Sequence, residues 1–291
     1  MVQSESRTVT VVGGGASAHV LVPFLSGAGH TVQLLTRQPD RWSSDIRLEL
    51  QSIDQEVLQT FAGTLSRVSD DPAEIIPQSD IVVLCMPVCA YRAALHQIAP
   101  HLRSDPEVAV GTIYGQAGFN WMVDEIVEAF DLESIVSFAV GLIPWICRVR
   151  DGIRARFPDR EFSYMLDYLA LERLSYRSAN TDIRESFVSS QTLGAIKPPG
   201  VQDDEGRWVI DTDHRFFTDD ISYGVCIAKW LAQELGLSVP TIDAIIEWAQ
   251  ELRGESYIED GRLLEDSPSL TGLHSGIPPV YGMHSLDDLL E

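Results

Sequence analysis

Three consecutive glycines, Gly13-Gly14-Gly15, followed by Ala16-Ser17-Ala18, are the first residues of this sequence whose types and spacing could do chemistry. They fit G-x-G-x-x-A, and each small residue answers a geometric need. Gly13 permits a tight turn, Gly15 has no Cβ to hold a pyrophosphate off the backbone, and Ala18 lets a helix pack closely on a strand. The N-terminus of that helix then faces the phosphates. Far down the chain, "DHRFFTDDISYG" (213–224) places His214, Arg215 and Asp220 within one short stretch. Here an arginine and a carboxylate could hold a substrate, or an Asp could simply cap a helix and satisfy its unpaired N–H groups.

The elements needed to position the glycines can be read on either side of them. Thr8–Val12 is a β-branched run, an apolar helical pattern extends to about Leu25, Gly27-Ala28-Gly29 ends it, and Thr31–Leu35 reads as a second strand. A Gly-rich turn between two such strands predicts a dinucleotide-binding unit. Where an NAD-selective site usually carries Asp or Glu, at the end of the second strand, this chain has Thr36 and Arg37, with Arg41 one turn on. Arginine suits a 2′-phosphate by charge and fork geometry, so NADP(H) is expected over NAD(H). The competing reading leaves Arg37 stacked on adenine or in solvent. Residues 81–85 read as a buried strand ending at Met86-Pro87, and "EVAVGTIYGQAGF" and "SIVSFAVGLIPWICRV" as further strands. Strands alternating with helices predict an α/β fold with a doubly wound parallel sheet. Ligands bind outside the carboxyl ends of such strands, which makes Met86, Pro87, Tyr114 and Gly115 expected cofactor neighbours.

The second half reads as smaller and mostly helical. "KPPGVQDDEGRW" (197–208) has the composition of a loop. Ile221, Val225, Ala228, Ala232 and Leu235 form one helical stripe, ended by Gly236. Ile242, Ile245, Ile246, Ala249 and Leu252 form another, with Pro240 at its start and Gly254 at its end. A last short helix is expected from Ser285, with Asp288 completing a capping box. The expected division is a Rossmann domain over 1–165 and a small helical substrate and dimerisation domain over 166–291. So few helices bury little on their own, which points to a homodimer.

Composition narrows the function classes. With 43 acidic and 21 basic residues the formal net charge is −22, which argues against nucleic-acid phosphates and anionic membrane surfaces. Only Lys197 and Lys229 are lysines; a GC-rich genome or adaptation to salt produces such a bias, and neither bears on fold. Cys85, Cys89, Cys147 and Cys226 have no metal-type spacing, so reduced thiols and a cytoplasmic protein without a metal are expected. The opening residues lack the basic and apolar regions of a secretion signal.

Several stretches together resemble the octopine/nopaline (opine) dehydrogenase family. "VVGGGASAHVL" is similar to its Gly-Gly-Gly-Asn-Gly-Ala-His opening, and "GQAGFNW" (115–121) to a Gly-Gly-Phe segment. "GLIPWICRVRDG" (141–152) is similar to a Leu-Pro-Trp-Ala-Cys-Arg stretch. Residues 214–252 resemble the family's Ser-Arg-Tyr-Phe-Thr-Glu-Asp-Ile-Pro-Tyr-Gly-Leu region and the Pro-Thr-Ile-Asp helix after it, and the tail from Thr271 fits as well. The resemblance implies reduction, by hydride from NAD(P)H, of an imine formed from an amino acid and an α-keto acid. It carries an active-site Arg and Asp onto Arg215 and Asp220, where the Arg can grip a substrate carboxylate and the Asp can orient a general acid.

The family's catalytic His opens a helical insert with a His-Pro motif that this sequence lacks; the shortfall falls between about 160 and 195. His214 is the first replacement proton donor, then Tyr114 and Lys197. The shortened domain suggests a preformed cyclic imine from a specialised biosynthetic route as substrate. The rivals are a non-redox or inactive dinucleotide-binding protein, for example one supporting cyclisation, and a ketopantoate-reductase-like C=O reductase.

Overall fold

The computed structural model describes residues 6–51, 56–104, 107–115, 118–133, 135–139, 156 and 199–289. The chain divides into two compact units, Met1–Gly141 and Leu142–Glu291. The boundary expected after residue 165 lies outside the described residues.

The first unit is built on a seven-stranded sheet. Its strands are β1 (Thr8–Val12), β2 (Thr31–Leu35), β3 (Asp45–Gln51), β4 (Val57–Ser69), β5 (Ile81–Leu84), β6 (Val108–Thr112) and β7 (Ile135–Ala139), in the spatial order β3-β4-β2-β1-β5-β6-β7. All neighbours are parallel except β3 and β4, which pair antiparallel. This edge departs from the wholly parallel sheet expected. The chain leaves β2 into a hairpin, and the far end of the 13-residue β4 pairs with β2 from Leu65 to Ser69.

Helix α1 (Ala16–Gly27) packs on β4, β3, β1 and β2. Its Ala18 and Val22 are buried with Val9, Val11, Val32 and Leu34 in one core. Two further helices, α2 (Tyr91–Ile98) and α3 (Phe119–Ala129), pack on each other. There Arg92 grips Glu125 through two bonds of 2.7 and 2.5 Å, and the ring of Tyr91 meets that of Phe119 edge-on. Asp80 ties β1 to β5: it accepts from the Thr8 N–H at 2.8 Å and from Arg103 at 2.5 Å. The Thr8 bond, with Arg103 adding to it, holds this carboxyl below the usual range.

In the second unit, "KPPGVQDDEGRW" is not only a loop. β8 (Gly200–Gln202) and β9 (Trp208–Ile210) form an antiparallel hairpin, whose turn Asp203 stabilises by accepting from the N–H groups of Glu205 and Arg207. α4 (Arg215–Thr218) is a single turn. One turn of π-helix (Ile221–Val225) follows and leads into α5 (Cys226–Glu234). The single helix expected over 221–235 is therefore two elements, and it is buried almost all round rather than along one stripe.

α6 (Pro240–Arg253) begins on Pro240 and ends at Gly254 in the left-handed region, as its sequence predicts. Of its expected stripe Ile246 and Ala249 are buried, whereas Ile245 and Leu252 stay exposed. Lys229 on α5 reaches Asp243 on α6 at 2.6 Å, an ionic contact in which Oδ1 lies outside hydrogen-bonding direction. Ser285 and Asp288 exchange the capping-box bonds, 2.8 and 3.3 Å, but turns rather than a helix follow among the described residues.

Candidate functional site

A cavity of about 860 Å³ opens at the carboxyl ends of the parallel strands in the first unit. Its floor is the turn between β1 and α1. Gly13 sits there at φ +110°, and a Cβ at this position would stand 2.5 Å from the Cys85 carbonyl oxygen. The turn is fixed by the Gly13 N–H donating to Leu35 O at 2.8 Å and the Cys85 N–H to Val12 O at 2.8 Å. At Gly15 a Cβ would meet nothing nearer than 4.0 Å, so the backbone there faces open space. Gly15 begins α1 without a side-chain cap, and the first turn holds no acidic residue. The helix therefore presents unpaired N–H groups and its positive end with no internal anion, which suits a pyrophosphate.

Of the sequence-predicted cofactor residues, Gly13, Gly15, Thr36, Arg37, Arg41, Met86 and Pro87 line this cavity. Ala16 and Ser17 stand in the first turn of α1 without lining it, and Ala18 is buried beneath. Tyr114 and Gly115 follow β6 and lie outside the cavity wall. The Tyr114 backbone is pinned by its N–H to Thr112 Oγ1 at 3.1 Å, and Tyr91 bonds the same hydroxyl at 2.7 Å. Thr36 is buried against Gly14, whereas Arg37 and Arg41 are exposed at the rim, Arg41 donating to Gln38 at 2.9 Å. Cys85 is inert, because burial pushes its thiol up to about 12.

Sequence reasoning missed His19, Trp42 and Asp70, which also line the cavity. His19 had a signal of its own, since it lies one helical turn after Gly15. Trp42 lies in the connection from β2 to β3, and Asp70 follows the end of β4, which reaches the site by pairing with β2.

The second unit gathers the other candidates around α4. His214 caps this turn: its Nδ1 accepts the Phe216 N–H at 3.3 Å, while its ring meets that of Phe216 edge-on at 4.6 Å. An Asp was expected to cap the stretch from Ile221 instead. Asp220 precedes the π-helix but makes no side-chain capping bond. Arg215 is exposed, with its guanidinium 5.6 Å from the Phe216 ring centre. Asp219 is buried and Asp220 half-buried.

Burial first, and then the neighbouring charge of Asp219, push the Asp220 carboxyl up to about 6, against the pull of Arg215. A carboxyl raised above its unfolded value of 3.8 favours the folded state below that value, and the advantage is lost as pH rises towards 6. Asp220→Asn is thus expected to raise stability by about 1–2 kcal/mol at pH 8, after allowing for partial solvent screening. It should have little effect at about pH 4. Urea denaturation at the two pH values checks this, and equal changes at both would refute it.

Neighbouring elements hold this cluster. Arg253, at the end of α6, donates to the Thr212 carbonyl and pairs with Glu255 at 2.7 Å; Tyr257 donates to the same carboxylate. Tyr223 of the π-helix donates to Leu273 O at 2.6 Å, and Ser275 to Ser222 O at 3.1 Å. Lys197 and Cys147 lie outside the described residues. Among those described, no three His, Cys, Asp or Glu residues are placed to hold a metal ion, and no helix is long and apolar enough to cross a membrane.

A mostly parallel sheet in this strand order, with a glycine cradle at a helix N-terminus, defines a Rossmann-type α/β protein with a separate second unit carrying helices. Residues 117–253 match the sequence profile of the NAD/NADP octopine/nopaline dehydrogenase alpha-helical domain. This stretch is thus similar to a domain of the octopine dehydrogenase family. It is 36% identical to the tauropine dehydrogenase of Arabella iricolor over 86 residues, 30% of this chain and 21% of that one. It is 18% identical to the opine dehydrogenase of Haliotis discus hannai over 404 aligned residues, covering 97% and 98% of the two chains. The first of these matches thus spans about a fifth of the relative's length. An octopine dehydrogenase solved with NADH and agmatine shares the fold at a TM-score of 0.76 and 18% identity, covering 98% of each chain.

Proposed function

We propose that this protein is an NADP(H)-preferring oxidoreductase of opine-dehydrogenase type that reduces a C=N bond in a carboxylate-bearing substrate. The observation carrying this reading is the cradle with Arg37 and Arg41 at its rim and no carboxylate at the end of β2, in a chain that also carries the family's helical domain. A neighbouring structure was solved with NADH and L-arginine and another with NADH and pyruvate, which supports a nicotinamide cofactor and small carboxylate substrates. When bound, the nicotinamide supplies the hydride.

The chain's own residues do the rest. The N–H groups at the start of α1 hold the pyrophosphate, with Gly15 leaving room for it. Arg37 and Arg41 neutralise the 2′-phosphate. Arg215 binds the substrate carboxylate through paired N–H groups. Asp220, rather than His214, exchanges the proton: the lone pair on Nδ1 of His214 is committed to the α4 cap, so an imidazolium would break that cap. The chain's seven histidines are at 19, 30, 96, 101, 214, 274 and 284, which leaves none in the region where the family's His-Pro motif would stand. A preformed cyclic imine fits this shortened site, since it needs no carbinolamine dehydration.

The test is a pair of measurements. Replacing Arg37 and Arg41 together by Ala should weaken NADPH binding about 100-fold while changing NADH binding less than about threefold. Equal losses for both would overturn the cofactor preference. NADPH absorbance should then fall with cyclic imines. If several amino acids with pyruvate are turned over readily, the cyclic-imine assignment fails. Tight NADPH binding without oxidation by any imine would favour a non-redox role on the same scaffold.

A further inference from the structure

His19 stands one turn into α1, and its ring stacks on the indole of Trp42 with 4.1 Å between centroids and 29° between planes. Trp42 in turn lies against Gly14 with Thr36: a Cβ on Gly14 would meet Thr36 Oγ1 at 2.6 Å and Trp42 Nε1 at 3.1 Å. These contacts bring the side chain of His19 onto the wall that also carries Thr36, Arg37, Gln38 and Arg41. Its Nδ1 lies 3.0 Å from the Gly15 carbonyl oxygen, which can only accept, so Nδ1 carries a hydrogen. The free face of the ring is Nε2, and no described residue bonds it. In the neutral ring Nε2 is an acceptor; in the charged ring it is a donor.

That chemistry matters because the wall has lost its usual hydroxyl acceptor. A site selective for an unphosphorylated ribose places a carboxylate at the end of β2, where this chain has Thr36. We propose that His19 sets the choice between the phosphorylated and unphosphorylated dinucleotide by its protonation. The charged ring donates from Nε2 to a 2′-phosphate, and the neutral ring accepts there from a 2′-hydroxyl.

The other charged groups facing the cavity are Arg37, Arg41 and Asp70. Arg37 and Arg41 project from the segment after β2 and Asp70 from the end of β4, while Ala93, Ala94 and Gln97 are what α2 presents. An imidazole can serve both forms, donating from Nε2 when charged and accepting there when neutral, so the preference follows its charge state. The inference rests on the dinucleotide reading above and adds to it a pH-dependent selector.

The test is calorimetric binding of NADPH and NADH to the whole apoprotein at about pH 6 and about pH 8. In the wild type the preference for NADPH should fall about tenfold between the two. His19→Phe keeps a ring to stack on Trp42 but removes both nitrogens. It should lose that fall, leaving only the ionisation of the 2′-phosphate itself, which strengthens NADPH binding as pH rises. A variant-free reading comes from repeating the titrations near pH 7.5 in buffers of different ionisation enthalpy. Binding of NADPH should take up protons and binding of NADH should release them. The same pH dependence in both proteins, or no proton exchange with either cofactor, would overturn the role of His19. Failure of both cofactors to bind at either pH would instead overturn the dinucleotide reading.

Discussion

Replacing Gly13 with alanine is expected to abolish dinucleotide binding and to destabilise the first unit by about 2–3 kcal/mol. Two independent costs act at once. The residue occupies φ +110°, a backbone region that L-residues other than glycine rarely enter, and such strain costs about 1–3 kcal/mol. The new Cβ would also stand 2.5 Å from the Cys85 carbonyl oxygen, at the end of β5. Neither the turn nor β5 can yield freely, because backbone bonds tie Gly13 to β2 and Cys85 to β1. Gly15→Val makes the informative contrast. Gly15 has φ −89° and open space where a Cβ would go, so this variant should fold normally and lose only the cofactor. Thermal melting and NADPH titration of the two variants separate a damaged turn from a filled cradle. Normal NADPH affinity in Gly15→Val would refute the placement of the pyrophosphate.

Arg215→Ala is expected to lower kcat/KM for a carboxylate-bearing imine by about 10²–10³, with NADPH affinity unchanged within about twofold. Removing one partner of a charge-assisted, paired hydrogen bond costs about 3–4 kcal/mol where the other charge is left without a counterpart. Fold stability should change by less than about 0.5 kcal/mol, since the guanidinium is exposed and lies 5.6 Å from the Phe216 ring centre. Arg215→Lys should recover little, because an ammonium cannot reproduce the planar fork. An esterified substrate should show no difference between wild type and Arg215→Ala. Unchanged kinetics with the free acid would return Arg215 to the role of a surface residue beside a helix turn.

The features legible in the sequence are those fixed by neighbours along the chain. β1, the Gly-rich turn, α1 and β2 form one continuous local unit in which residue size and periodicity decide each step. α6 is bounded by Pro240 and Gly254 for equally local reasons. The β3–β4 hairpin was not legible. Its strands are short of buried residues, so its alternation reflects one face lying against α1 rather than a run of core side chains. β8 and β9 escaped for a related reason, having apolar residues that are all exposed. The π-turn also left no mark, because Ile221 to Leu235 is apolar enough to suggest a single helix; its bonds to Leu273 and Ser275 come from far along the chain.

The candidate site divides in the same way. The sequence by itself determined which small residues shape the turn before α1 and that arginines, not a carboxylate, follow the second strand. Both are consequences of residue size and charge at fixed spacings. Only the tertiary structure decided what their neighbours are. The connection from β2 to β3 carries Trp42 onto His19 of α1, which places that ring in the cavity wall. The turn at Arg215 takes its cap from His214, which commits Nδ1, and Asp220 makes no capping bond at the π-helix and sits half-buried beside Asp219. A side chain's protonation depends on what surrounds it in space, and those surroundings are assembled from residues distant in the chain.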